Sequence, residues 1–155
     1  MNKIYIMLIG VILLAISACG KDNDALKAYK EKETLSNKQI TVINLWAPWC
    51  GPCRQEIPEL SRFAKDNPEI GVVGIAFDKR KNIEKFLKTT PTSYPIRYLD
   101  GDATGVMMKF GNKSGGIPYT MVYAPSCDFK KSHVGPVNAK QIKIVVEEAK
   151  KECTN

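Results

Sequence analysis

Two cysteines three residues apart stand where an apolar strand pattern gives way to a helical one. The run Ile40 to Trp46 reads as a buried strand, and it leads through Ala47, Pro48 and Trp49 into Cys50-Gly51-Pro52-Cys53. After Cys53 the apolar residues Ile57, Leu60, Phe63 and Ala64 recur at helical spacing, with Arg54, Glu56, Arg62 and Lys65 between them. The first turn of a helix has free backbone N–H groups and the positive end of the dipole. A thiolate at Cys50 is stabilised there, so its pKa is expected to fall and its nucleophilic form to be populated near neutral pH. Pro52 suits this turn because no N–H is needed from it. Cys53 lies one turn further on, close enough to close a disulfide with Cys50, so the pair is expected to cycle between dithiol and disulfide. The same spacing also serves as half of a zinc site. A second ligand pair is missing, because Cys127 and Cys153 stand far apart and His133 is the only histidine. Neither a metal nor a cofactor is expected.

The motif Trp49-Cys50-Gly51-Pro52-Cys53 resembles thioredoxin, and the resemblance runs from about Ile40 to Cys153. A second landmark is Gly116-Ile117-Pro118-Tyr119-Thr120, which precedes the apolar strand Met121-Val122-Tyr123 and looks like the family's cis-proline loop. An X-Pro bond is far less costly in cis than a non-proline bond, and proline at a strand start gives up an N–H the sheet does not use. Without the cysteine motif, an ordinary trans turn proline would be the simpler reading. The resemblance implies that Pro118 faces the Cys50 sulfur, keeps metal ions away and, with Ile117, binds the partner's backbone. Trp49 is expected to shield the sulfur and to offer clients an apolar contact, whereas Trp46 is expected in the core.

The chain's address is written before the domain. Met1-Asn2-Lys3 is a short positive start, Ile4 to Ala15 is apolar, and Ile16-Ser17-Ala18-Cys19 follows. This reads as a signal peptide over residues 1–18, too short for a comfortable membrane span. Its ending resembles a bacterial lipobox, which implies cleavage before Cys19 and lipidation of that sulfur. An ordinary cleaved signal or an uncleaved anchor are the alternatives, and all three place the domain in the periplasm or cell envelope. Residues 19–38 read as a polar tether and 39–155 as the domain. Removing Lys3 takes the formal charge from +7 to +6. No motif supports nucleic-acid binding; dispersed lysines fit a solvated surface near anionic lipid. The chain is expected to act as a monomer.

Past the cysteine motif, strands and helices alternate. Pro58 is expected to kink the first helix, and Asn67-Pro68 to end it. Ile70 to Phe77 is a continuous apolar run, as in a parallel strand buried on both faces. A helix follows over Arg80 to Thr90, with Ile83, Phe86 and Leu87 inward. A short strand covers Pro95–Leu99, and a further helix Asp102 to Phe110 carries Val106, Met107 and Phe110 inward. Met107 and Met108 read as core filling. Gly111–Gly116 reads as a flexible loop. A strand pair, Tyr119–Tyr123 and Phe129–Val134, closes as an antiparallel hairpin. The last helix, Asn138 to Glu152, is capped by Asn138 and buries Ile142, Val145, Val146 and Ala149. The pattern gives one α/β domain, and the resemblance implies a thioredoxin-like three-layer α/β/α sandwich with a central mixed sheet. In that layout the turn at Cys127 and the helix end at Cys153 share the pole opposite the active site, which points to a structural disulfide; the alternative is two unpaired thiols, disfavoured in an oxidising compartment.

The extra helix and strand between Phe77 and Pro118 match the membrane-tethered TlpA-like or ResA-like branch. That branch implies a thiol–disulfide oxidoreductase outside the cytoplasm that reduces apocytochrome c or other envelope protein disulfides. Its electrons come from an integral membrane donor of the DsbD or CcdA type. The branch also implies a functional glutamate at Glu56, which accepts or relays the Cys53 proton; on residue type alone Glu56 reads as a surface carboxylate at a helix start. Asn44 stands where thioredoxins carry a buried aspartate, so that proton route is absent. His133 reads as structural. Two other classes stay open: a dithiol oxidase or isomerase, and a thiol-independent binding or chaperone module.

Overall fold

Strand β1 (Thr41–Trp46) has all six residues buried and occupies the middle of a five-stranded sheet ordered β3-β2-β1-β4-β5. The computed structural model describes residues 39–99 and 103–154. The expected signal peptide, Cys19, the tether and Asp102 lie outside these residues. Helix α1 (Gly51–Asp66) follows β1 and leads to β2 (Gly71–Phe77). Next come α2 (Arg80–Thr89), β3 (Ile96–Leu99), α3 (Ala103–Lys109), β4 (Tyr119–Ala124), β5 (Phe129–Val134) and α4 (Ala139–Glu152). β1, β2 and β3 are parallel, and β4 and β5 are antiparallel to their neighbours. The sheet is therefore mixed, in a thioredoxin-like α/β fold with the expected helix and strand inserted between Phe77 and Pro118.

Side chains alternate across each strand, and the register puts Val42, Asn44 and Trp46 on the same face as Val72, Gly74 and Ala76 of β2 and Thr120 and Val122 of β4. Leu60 and Phe63 of α1 and Ile142, Val146 and Ala149 of α4 close over this face as one apolar cluster. Helix α1 continues through Pro58, whose ring lies on the exposed side. Asn67 ends the helix, its backbone N–H and its Nδ2 both donating to the Phe63 carbonyl at 3.0 and 2.8 Å. Asn138 caps α4 through a reciprocal pair with Gln141. The edge strand β5 carries Lys130 and Lys131 outward, charges that discourage pairing with another chain.

Some expectations change. Met108 is 54% exposed rather than core filling: α3 has one inward stripe, Met107 occupies it, and the next residue is turned about 100° away. Val106 and Phe110 are half-buried, and so is Val145 of α4. The loop 111–116 carries hydrogen bonds of its own. Buried Asn112 donates from Nδ2 to the Gly116 carbonyl at 2.8 Å and accepts from Ser114 Oγ at 2.9 Å, while its backbone N–H reaches the Met107 carbonyl at 2.9 Å.

A 3₁₀ turn at Pro125–Cys127 joins β4 to β5, and its Cys127 is bonded to Cys153 at the end of α4, 26 residues away in sequence. A loop of that length is worth about 3.5 kcal/mol in the chain-entropy model. Replacing both cysteines by serine is expected to lower the unfolding free energy by roughly that amount, measured by urea denaturation with the Cys50–Cys53 pair kept oxidised.

Candidate active site

The first turn of α1 is built around the Cys50 sulfur. Cys50 is the N-cap residue, in extended conformation, and its Sγ accepts the backbone N–H of Cys53 at 3.2 Å. Pro52 needs no such partner. Behind it, the Cys50 N–H donates to the Ala47 carbonyl at 3.1 Å, closing a turn that carries the chain from β1 into the helix. Cys50 and Cys53 are joined by a disulfide. Both are buried, Cys53 fully, in a cluster with Trp46, Ala47, Ile57, Ala76 and Ile83. Trp49, by contrast, is 70% exposed beside them.

The second segment at the site comes from the far side of the chain. The Ile117–Pro118 peptide bond is cis, and the Ile117 carbonyl oxygen lies 3.7 Å from Cys50 Sγ. Ile117 is half-buried and Pro118 buried. The Asn112 bonds described above hold the approach to this loop. The fold thus brings together Cys50, Cys53, Trp49 and Ile117, four of the residues expected at the site. His133 is exposed on β5.

Glu56 is not a surface carboxylate: it is 1% exposed. Its place three residues after Cys53 puts it on the inward side of α1, beneath which lie Asn44 and the chain entering α4. Val137 N–H donates to Glu56 Oε2 at 2.9 Å, and Asn44 Nδ2 donates to Oε1. The same Asn44 Nδ2 donates to Thr120 Oγ1 at 3.0 Å. Burial pushes the carboxyl up to about 7, against the opposing pull of the Val137 and Asn44 hydrogen bonds. One turn further along α1, Glu59 Oε2 accepts the N–H of Ala139, the first residue of α4, at 3.2 Å. Two carboxylates of α1 therefore meet the N-terminal end of α4, where free N–H groups and the dipole favour negative charge. Thr120, Val137, Asn112 and Glu59 escaped the sequence reading. Their roles arise from contacts 76 to 81 residues apart or from a loop fold that local spacing does not encode.

With this geometry in hand, comparison with known proteins places the chain. The model of the AhpC/TSA family matches residues 14–134. The chain belongs to the AhpC/TSA family. It is similar to the sporulation thiol-disulfide oxidoreductase A of Bacillus subtilis (strain 168), 26% identical over 161 residues that cover 94% of this chain and 95% of the relative. It is 30% identical to the thiol:disulfide interchange protein DsbE of Allochromatium vinosum over 108 residues, 65% of this chain and 54% of that one. Among solved structures, a thioredoxin-related protein from Neisseria meningitidis serogroup B superposes with a TM-score of 0.71 at 39% identity, covering 77% of this chain and 92% of the other. StoA from Bacillus subtilis superposes at 0.59 with 25% identity, over 71% and 84%. This member of the AhpC/TSA family is a thioredoxin-like thiol–disulfide oxidoreductase with a Cys50–Cys53 pair.

The Glu56 carboxyl makes stability depend on pH. Below its ordinary value of 4.5 it is protonated in both folded and unfolded chains. From there to about 7 the unfolded chain has released the proton that the native state still holds. The native state then binds more protons, so stability falls as pH rises, and the loss is complete above the folded value. The gap corresponds to about 3 kcal/mol. Glu56→Gln is expected to flatten this part of the profile, read from urea unfolding at a series of pH values.

Proposed function

We propose that this protein is a reductase of protein disulfides held at a bacterial membrane outside the cytoplasm. The observation that carries this reading is the Cys50 sulfur at the N-cap of α1, bonded to Cys53, beside the Ile117 carbonyl and an exposed Trp49. In the reduced protein, the Cys53 N–H and the helix end stabilise negative charge on Cys50. The Cys50 thiolate attacks a client disulfide, one client sulfur leaves as a thiolate, and a mixed disulfide forms. The Cys53 thiolate then attacks Cys50, releasing the reduced client and leaving the Cys50–Cys53 disulfide. Glu56, with a carboxyl near 7 three residues along the helix, takes the Cys53 proton in that second step. Trp49 and Ile117 form the surface on which the client backbone rests, with Pro118 buried behind Ile117.

The direction follows from the motif. Gly51-Pro52 between the cysteines resembles the reducing thioredoxins, whose potential is about −270 mV, and a pair that favours its disulfide is a good electron donor. The clients are apocytochrome c or other envelope proteins, and a membrane protein of the DsbD or CcdA type returns the electrons. Relatives named thiol:disulfide interchange protein support disulfide exchange as the reaction. Cys19 carries the lipid, residues 19–38 give the domain its reach, and Cys127–Cys153 is a structural bond remote from the redox pair.

Glutathione equilibration is expected to give a potential close to that of thioredoxin, and Cys53→Ser to accumulate mixed disulfides between Cys50 and its clients, identified by mass spectrometry. A potential near the roughly −120 mV of a strong oxidant would instead assign a dithiol oxidase. Undiminished activity with both cysteines replaced by serine would assign a binding or chaperone module. Cys19→Ser is expected to move the protein from the membrane fraction to the soluble fraction on cell fractionation.

A further inference from the structure

Glu56 changes its hydrogen-bonding needs when it changes charge. As a carboxylate it only accepts; as an acid it carries one O–H that must donate. Its burial makes a mismatch costly in either form, because unpaired polar groups are expensive away from water. Burial also pushes the carboxyl up to about 7, so both forms are populated in neutral solution.

The groups that face it are few. From the entry to α4 comes the Val137 backbone N–H, at Oε2. From β1 comes the Asn44 amide, at Oε1, with Thr120 of β4 bonded to the same amide nitrogen. Along α1, Glu59 is occupied by Arg62 and the Ala139 N–H, and Cys53 is bonded to Cys50. From the segment before β3, Tyr94 feels the Glu56 charge, which adds to burial in raising its phenol. A backbone N–H only donates. Val137 therefore serves both charge states by holding the oxygen that bears no proton. The proton of the acid then falls on Oε1, against Asn44.

The Asn44 amide has a donor end and an acceptor end. In the present orientation Nδ2 donates to Glu56 Oε1 and, at 3.0 Å, to Thr120 Oγ1, while Oδ1 is buried without a partner. This orientation matches the carboxylate. Against the acid it sets an N–H facing an O–H. Half a turn of the terminal torsion exchanges the two ends, and that torsion is roughly two-fold. Oδ1 then accepts from the Glu56 O–H, and the Thr120 hydroxyl, an acceptor before, donates to the same oxygen. Either end held fixed leaves one charge state of Glu56 unmatched; only their exchange matches both. We propose that Asn44 is a positioning residue for Glu56, turning its amide over whenever the carboxyl gains or loses its proton. In the reaction this keeps the carboxyl paired before and after it takes the Cys53 proton. That consequence rests on the role proposed for Glu56; the turn itself does not.

The test uses the full chain with both disulfides oxidised, so its outcome is independent of redox activity. In NMR, the chemical shift of the Glu56 carboxyl carbon follows the titration. The nuclear Overhauser contact between the Asn44 amide protons and the Thr120 methyl group follows the orientation. That contact is expected to be strong above the Glu56 midpoint, to fall several-fold below it, and to change with the same midpoint. In Glu56→Ala it is expected to be independent of pH. A contact that stays constant while Glu56 titrates overturns the proposal and assigns the proton another acceptor, such as the Tyr94 hydroxyl, also unpaired. A contact that changes with a different midpoint overturns it as well. Should Glu56→Ala not fold, the two midpoints in the parent decide the matter. Failure to reduce client disulfides would remove the proposed function and leave this result untouched.

Discussion

The backbone N–H of Cys53 ends on the Cys50 sulfur, and the start of α1 is organised by that contact. One atom serves as helix cap and, in the proposed exchange, as nucleophile. A cap satisfies one of the free N–H groups of the first turn, and a sulfur in that position gains the dipole as well. Local folding and chemistry therefore ask the same thing of residue 50. The strand before it is central and buried on both faces, so the corner from strand to helix has little freedom to move. The Ile117 carbonyl approaches the same sulfur from a loop held by Asn112.

Beneath this corner the protein buries a carboxylate. Glu56 is held by Val137 N–H and Asn44, and Glu59 by Ala139 N–H. These contacts join α1 to the start of α4 with charge placed where a helix dipole favours it. The arrangement is a compromise, because burial of Glu56 outweighs its hydrogen bonds and leaves the carboxyl near 7. A carboxyl balanced there exchanges its proton readily at neutral pH.

Most of the fold was legible because its elements are long and their periods unambiguous. The runs Ile40–Trp46 and Ile70–Phe77 are strands within one residue of their expected limits, and α1, α2 and α4 lie where apolar spacing puts them. Failures cluster in short elements. A seven-residue helix offers too few turns to show which methionine faces inward, so Met108 was misassigned. The glycines at 111, 115 and 116 are visible in the sequence, but the bonds that Asn112 makes within its own loop are not. Glu56 illustrates the same limit at the site. Its position after Cys53 is visible in the sequence, but its burial depends on Asn44 and Val137, 12 and 81 residues away.

The order of residues by itself determined a redox-capable cysteine pair at a strand-to-helix junction, an alternating α/β chain and the proline at the second landmark. Those properties are local: they need only the spacing of apolar residues, the reach of one helical turn and the backbone chemistry of proline. Tertiary structure decided which distant groups meet that pair. It set Glu56 against Asn44 and the entry to α4, brought the Ile117 carbonyl to the Cys50 sulfur, and packed Trp46, Tyr94 and Ile96 against Gly74. Such meetings come from strand register and helix packing across the whole sheet, and no window of neighbouring residues contains that information.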